Sequence, residues 1–192
     1  HLAVGRAESR RGARVSLSPV SVRDAPVELR RLVLPSPNGA TVTLALAGSG
    51  TEVVAGSLRN ATAVGDHVAD LVADHGRDLL LVPAGERWGD DSLRPAVEDL
   101  WGAGAVLDAV LRVLPDLSCS PGARAAAAAW RDARDHAGTD LAAALAATDS
   151  GRELAHAGWE DDVRLAGQHD TSTSVPVLQG TSYVPATGVR AL

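Results

Sequence analysis

Three short apolar runs, each delivered into a turn rich in Gly or Asn, constrain this chain more than any other feature. Residues 31–34 run into Ser36-Pro37-Asn38-Gly39, residues 52–55 into Gly56-Ser57-Leu58-Arg59-Asn60, and residues 78–82 into Ala84-Gly85-Glu86-Arg87. Apolar runs without polar alternation predict strands covered on both faces, as in a mostly parallel sheet with helices packed over it. Between the runs the spacing becomes helical. Val64, Val68, Leu71 and Val72 form one apolar stripe behind Asn60, a natural N-cap. Val97, Leu100, Trp101, Leu107 and Leu111 form another, with Pro95 suited to its first turn. Residues 41–46 alternate as a strand would, but a strand–helix unit needs a helix there, and we read helix.

From Ala123 the chain is Ala-rich and helical through Trp130 to Ala147, and again over residues 151–157. Val175-Pro176-Val177-Leu178 closes as a short strand, at an edge because Pro176 cannot donate to a ladder. Residues 1–27, Arg- and Ser-rich with little periodicity, read as an irregular lead-in. The expectation is one compact α/β domain over residues 1–192, with a mostly parallel sheet covered by helices and an Ala-rich helical C-terminal half.

Composition narrows the function classes. The net charge is -6 and the pI about 5.4. No Arg cluster larger than a pair such as Arg10 and Arg11 offers the basic face that a nucleic-acid binder needs to release counterions. The single cysteine, Cys119, excludes an intramolecular disulfide and a Cys-rich zinc site. No apolar run approaches the roughly 18 residues that span a bilayer, and no basic-then-apolar leader opens the chain, so no membrane is expected and the cytoplasm is the expected compartment. All 18 Lys-or-Arg positions are Arg, while Ile, Phe and Met are missing altogether, a pattern of GC-rich coding. A homo-oligomer stays open.

The turns carry the candidate chemistry. Open α/β sheets bind ligands outside the carboxyl ends of their strands, where helix N-termini present N–H groups suited to a phosphate or sulfonate. Asn38 and Asn60 fit such positions, and equally fit ordinary turns and caps. Arg59 either forks onto a pair of anionic oxygens or is a solvated surface cation. Glu86 and Arg87 are either a magnesium-holding acid with an anion-holding neighbour or a salt-bridged loop pair. Glu98 and Asp99 open a helix, where the macrodipole alone favours acids. Glu160-Asp161-Asp162 is a denser acidic cluster whose repulsion a metal, an Arg or solvent would relieve. His169 and Asp170 lack a nearby nucleophile pattern and are not read as part of a catalytic triad.

Taken in order, these segments resemble the 2-phosphosulfolactate phosphatase family, Mg²⁺-dependent enzymes of coenzyme M biosynthesis. The matching text is Ser36-Pro37-Asn38-Gly39-Ala40, Gly56-Ser57-Leu58-Arg59-Asn60-Ala61 and Ala84-Gly85-Glu86-Arg87. Val97-Glu98-Asp99-Leu100 follows, with Gly102-Ala103-Gly104-Ala105 behind it. Ser150-Gly151-Arg152-Glu153-Leu154 and Gly158-Trp159-Glu160-Asp161-Asp162-Val163 complete the series, so the resemblance covers about residues 32–178. Upstream, Gly5-Arg6-Ala7-Glu8 and Ser16-Leu17-Ser18-Pro19 look like worn versions of the family's Gly-Glu-Arg-Gly and Asn-Ser-Pro segments, with Leu17 where an amide is expected. The Glu86 turn is one residue shorter than the family's. The family's opening strand, ending in an Asp-Val-Leu-Arg-Ala-like loop, has no counterpart here, and a further segment ahead of residue 1 is expected.

The resemblance implies Mg²⁺-dependent hydrolysis of a small anionic phosphate monoester. Glu86, Asp99, Asp161 and Asp162 become candidates for the metal, and Glu86, Asp99 and Asp162 for catalysis. Asn38, Gly39, Ser57, Arg59, Asn60, Arg87 and Arg152 become candidates for the substrate. Asn38, Ser57, Arg59, Asn60 and Glu86 are expected to meet in one cleft. Asp162 is preferred over Asp161, with Arg152 expected beside it unless that Arg merely caps its helix. The alternative is a catalytically degenerate anion-binding domain of the same fold.

Overall fold

A computed structural model of the chain describes residues 2–5, 15–26, 28–36, 38–138 and 140–186. Arg6, Ala7 and Glu8 of the upstream segment, the Arg10–Arg11 pair and Pro37 lie outside the described residues.

Helices dominate. The order is α1 (Pro19–Arg23), α2 (Gly39–Leu46), α3 (Ala61–His75), β1 (Glu86–Arg87), β2 (Leu93–Arg94), α4 (Val97–Val113), α5 (Pro121–Ala137), α6 (Leu141–Ala146), α7 (Asp149–His156), α8 (Glu160–Ala166), β3 (Pro176–Gln179) and β4 (Ser182–Pro185). Each long helix has a local reason to start and stop. Ser120 accepts from the Ala123 amide and Pro121 occupies the first turn of α5, while Gly138, at φ 57°, ends it. The Ala-rich stretch expected as one helix is thereby divided. Asp140 caps α6 and Thr148 caps α7, each through its side chain. Residues 41–46 are helical, inside α2.

The core forms where α4 lies between α3 and α5. Val64, Val68, Val106, Val110 and Trp130 are buried there, Val110 at 0% and Trp130 at 1% exposure. Two glycines permit the close approach. A Cβ on Gly104 of α4 would lie 2.2 Å from the Ala126 carbonyl oxygen of α5, and one on Gly65 of α3 would lie 2.4 Å from the Ala109 Cβ of α4.

The mostly parallel sheet is not observed. Among the described residues the ladders are two short antiparallel hairpins, β1 with β2 and β3 with β4. Parallel pairing is confined to the single bridges Leu2–Val33 and Val4–Ser16, and Val54 bridges Val177 antiparallel. The physical reason is visible at residues 79–82. Leu79 and Leu81 pack on the core, whereas Leu80 is 77% and Val82 47% exposed, and no ladder partner exists among the described residues. An apolar run records an affinity for cover without recording which strand supplies it.

Candidate functional site

The site is built around Gly85, at the entry to the β1–β2 hairpin with φ 69°. Its amide donates to Asp99 Oδ2 at 2.7 Å, and its carbonyl accepts from Asn38 Nδ2 at 3.0 Å. The same Asn38 nitrogen donates to Glu86 Oε2 at 3.0 Å, across 48 positions of sequence. Asn38 precedes α2 but makes no cap bond, so its amide is spent on orienting the Glu86 turn. Asp99 stands in the first turn of α4. Burial chiefly, with Glu98 and Glu86 adding, raises its carboxyl above the usual range, against the opposing Gly85 N–H.

A second wall is set by α8. Asp162 is 3% exposed and accepts from Ser18 Oγ at 2.5 Å and from the Val20 amide at 3.3 Å. Ser18 is itself buried and caps α1, so the N-terminal helix is tied to α8 by one carboxylate. Asp161 faces elsewhere, paired with Arg164 on the surface. Adjacent helical residues diverge by about 100°, which separates the two acids into an inner and an outer one.

A third component escaped the sequence reading. Arg94, opposite Glu86 in the hairpin, gives its fork to Glu153 of α7: Nη1 to Oε1 at 2.6 Å and Nη2 to Oε2 at 3.1 Å. Nη2 also reaches Ser150 Oγ at 3.3 Å, and the guanidinium lies over Trp88, 5.4 Å from the ring centroid. This contact holds the Glu153 carboxyl below its usual range. The only sequence signal for Arg94 is its position between Leu93 and Pro95, just ahead of the acidic helix start. Glu153 adjoins the Arg152 that was preferred, and the motif did not say which of the two faces inward.

Glu86, Arg94, Glu98, Asp99 and Asp162 line one cavity of about 870 Å³. The expected convergence is thus divided. Asn38, Glu86 and Asp99 meet at Gly85. Ser57 and Asn60 form their own turn: Asn60 Oδ1 accepts from the Ser57 amide at 2.8 Å and from its hydroxyl at 3.0 Å, and Asn60 Nδ2 donates to Ser174 O at 2.9 Å. Asn60 therefore does not cap α3; Asp170 does so instead, accepting from the Thr62 amide at 2.8 Å. Arg59 donates to Thr171 Oγ1 at 3.2 Å, and Arg87 donates to Asp91 O at 2.7 Å within the hairpin turn. Gly39 begins α2. Arg152 pairs with Asp149 and donates to the Ala147 carbonyl, which is the helix-capping alternative. His169 tilts against Trp130, ring centroids 4.9 Å apart, and its partner Asp170 is the α3 cap.

Comparison with known proteins agrees with this arrangement of motifs. A protein of Deinococcus radiodurans described as "Probable 2-phosphosulfolactate phosphatase" is 32% identical over 175 residues, which is 91% of this chain and 67% of that protein. The sequence model of 2-phosphosulpholactate phosphatase matches residues 6–181, and the chain belongs to that family.

Proposed function

We propose that the chain hydrolyses a small, anionic phosphate monoester of the 2-phosphosulfolactate type, with Mg²⁺, in the cavity lined by Glu86, Asp99, Asp162 and Arg94. The observation that carries this reading is the joint lining of one cavity by buried or half-buried acids and a held guanidinium. That is the equipment for placing a cation and a phosphoryl group together.

The donor set fits magnesium. Among the described residues no three His, Cys, Asp or Glu side chains form a ready cation cage. Mg²⁺ does not require one, because it retains waters and takes one or two carboxylates plus substrate oxygens. Glu86 and Asp99 flank Gly85, and burial first, with the neighbouring acids second, raises the Asp99 carboxyl, a cost that a divalent cation would offset. When bound there, Mg²⁺ would neutralise phosphoryl charge and make a coordinated water more acidic.

The chain's own residues do the rest. Asn38 holds the Glu86 carboxylate by one hydrogen bond and the Gly85 carbonyl before it by a second, both from the same nitrogen. Asp162, positioned by Ser18 and the Val20 amide, is the acceptor for a proton of the attacking water. Arg94 takes equatorial oxygens of the phosphoryl group. As the water oxygen bonds to phosphorus and the P–O ester bond breaks, the leaving oxygen takes a proton from solvent, Asp162 returns its own to solvent, and orthophosphate departs.

A panel of phosphorylated hydroxy acids, assayed for orthophosphate release with Mg²⁺ and again with a chelator, tests the reading. Chelator-sensitive release is expected, strongest for esters carrying a second anion. Oxyanion binding without release of orthophosphate from any ester refutes it and leaves a catalytically degenerate binding domain.

A further inference from the structure

Arg94 and Glu153 form the contact that the phosphatase reading leaves unexplained. The two partners are unequal: the Arg94 side chain is 13% exposed and that of Glu153 62%. The cation is therefore the fixed member. Three contacts besides Glu153 hold it: the hairpin register opposite Glu86, the Trp88 face, and Ser150 Oγ. The acid stands at the rim, and an ion pair with so exposed a member is weak.

We propose that Glu153 is an internal competitor for the oxyanion site of Arg94, and that a tetrahedral oxyanion of the substrate displaces it. The inference rests on the phosphatase reading of this cavity. Glu153 presents two oxygens to the two terminal nitrogens of the guanidinium, at 2.6 and 3.1 Å. A phosphoryl or sulfonate group offers two oxygens to the same fork. With the fork occupied, the positive charge of Arg94 is quenched beside Glu86 and Glu98, and the cavity carries an excess of acid that opposes an anionic ligand. Removing Glu153 from the fork restores the cation where the ligand needs it.

The displaced carboxylate has somewhere to go. Arg94 and Glu153 also border a second cavity of about 600 Å³, lined in addition by Trp88, Asp149, Arg152 and His156. Arg152, which pairs with Asp149, and His156 line the same cavity, so a cation already stands beside the place Glu153 would take once it leaves Arg94. The Glu153 side chain, 62% exposed, has solvent on its outer side into which it can turn as the anions exchange. The consequence is a specificity filter: a neutral alcohol or a poorly forked anion does not compete with Glu153, whereas a tetrahedral dianion does.

Glu153→Gln and Arg94→Lys separate the possibilities, with orthophosphate and methanesulfonate as probes in calorimetric titrations and esters in kinetic ones. Glu153→Gln is expected to tighten binding of at least one probe by roughly 3- to 10-fold, with KM for the ester falling in parallel and kcat moving less. Arg94→Lys, which keeps the charge but loses the fork, is expected to weaken that probe by about 10-fold and to abolish the gain when combined with Glu153→Gln. The responding probe tells whether the phosphoryl or the sulfonate end sits on Arg94. Melting temperatures confirm that each variant is folded. Wild-type affinity for both probes in folded Glu153→Gln overturns the proposal, as does indifference to Arg94→Lys. Ester hydrolysis with an unchanged KM in Glu153→Gln removes the competitor and leaves the phosphatase. Tightened oxyanion binding without hydrolysis of any ester does the reverse.

Discussion

Asp161 and Asp162 differ by one position and by almost everything else. Asp162 accepts from Ser18 and the Val20 amide in the interior, while Asp161 meets Arg164 in solvent. Asp162→Asn is expected to lower kcat/KM by about 100-fold or more, and Asp161→Asn to leave it within about twofold. Asp162→Ala leaves one buried and one half-buried donor without their acceptor, and urea unfolding should show a loss of about 2 kcal/mol. Asp99 is expected to act in the opposite direction on stability. Its folded carboxyl titrates above the usual range, so between the ordinary and the raised value the folded state binds more protons than the unfolded one. Stability from this group therefore falls as pH rises through that window and stays lower above it. Asp99→Asn keeps an acceptor for the Gly85 amide and should raise the melting temperature at neutral pH while removing the Mg²⁺-dependent gain expected of the wild type. A variant no more stable than wild type at neutral pH would contradict this. That the two acids part was legible in sequence because helical geometry separates neighbours; which of them turns inward rested on the family resemblance. The pairing of Arg94 with Glu153 was not, since 59 positions and three helices, α4 to α6, lie between them.

Helical character was readable from composition and spacing, but the boundaries were not: the reading from Ala123 through Ala147 passed over Gly138, which closes the helix that Ser120-Pro121 opens. Strand pairing was not, because residues 79–82 display apolar character without naming a partner. Asn60 misled for a related reason: the side chain suited to a cap was already engaged by Ser57, and the cap came from Asp170, 108 positions away from Thr62. The glycines of α4 give the sharpest test at this scale. Gly104→Ala, and Gly65→Ala on the facing helix, force backbone or side-chain shifts and should each cost about 1–3 kcal/mol. Gly102→Ala meets nothing within 4 Å and should stabilise α4 by up to about 1 kcal/mol. Equal melting temperatures for Gly102→Ala and Gly104→Ala would show that α4 and α5 do not approach as described.

Across the whole molecule, chain segments far apart in sequence are brought to one cavity by helices more than by a sheet. The N-terminal Ser18, the hairpin acids and cation, the first turn of α4 and the inner face of α8 meet because α1 is tied to α8 and the hairpin abuts α7. The motifs of the family were legible in order along the chain; their division between a cavity wall and purely internal turns was not, because a short motif fixes neither which face of a helix turns inward nor which partner a side chain finds. Among the described residues no helix is long and apolar enough to cross a membrane. The account stands or falls on chemistry in the Glu86–Asp99–Asp162 cavity, and phosphorus NMR of 2-phosphosulfolactate with Mg²⁺ reads it directly. The predicted result is conversion of the ester signal to orthophosphate by the wild type, arrest on chelation, and slowing of about 100-fold or more in Asp162→Asn. An unchanged ester signal with the wild type, or equal rates for wild type and Asp162→Asn, would contradict it.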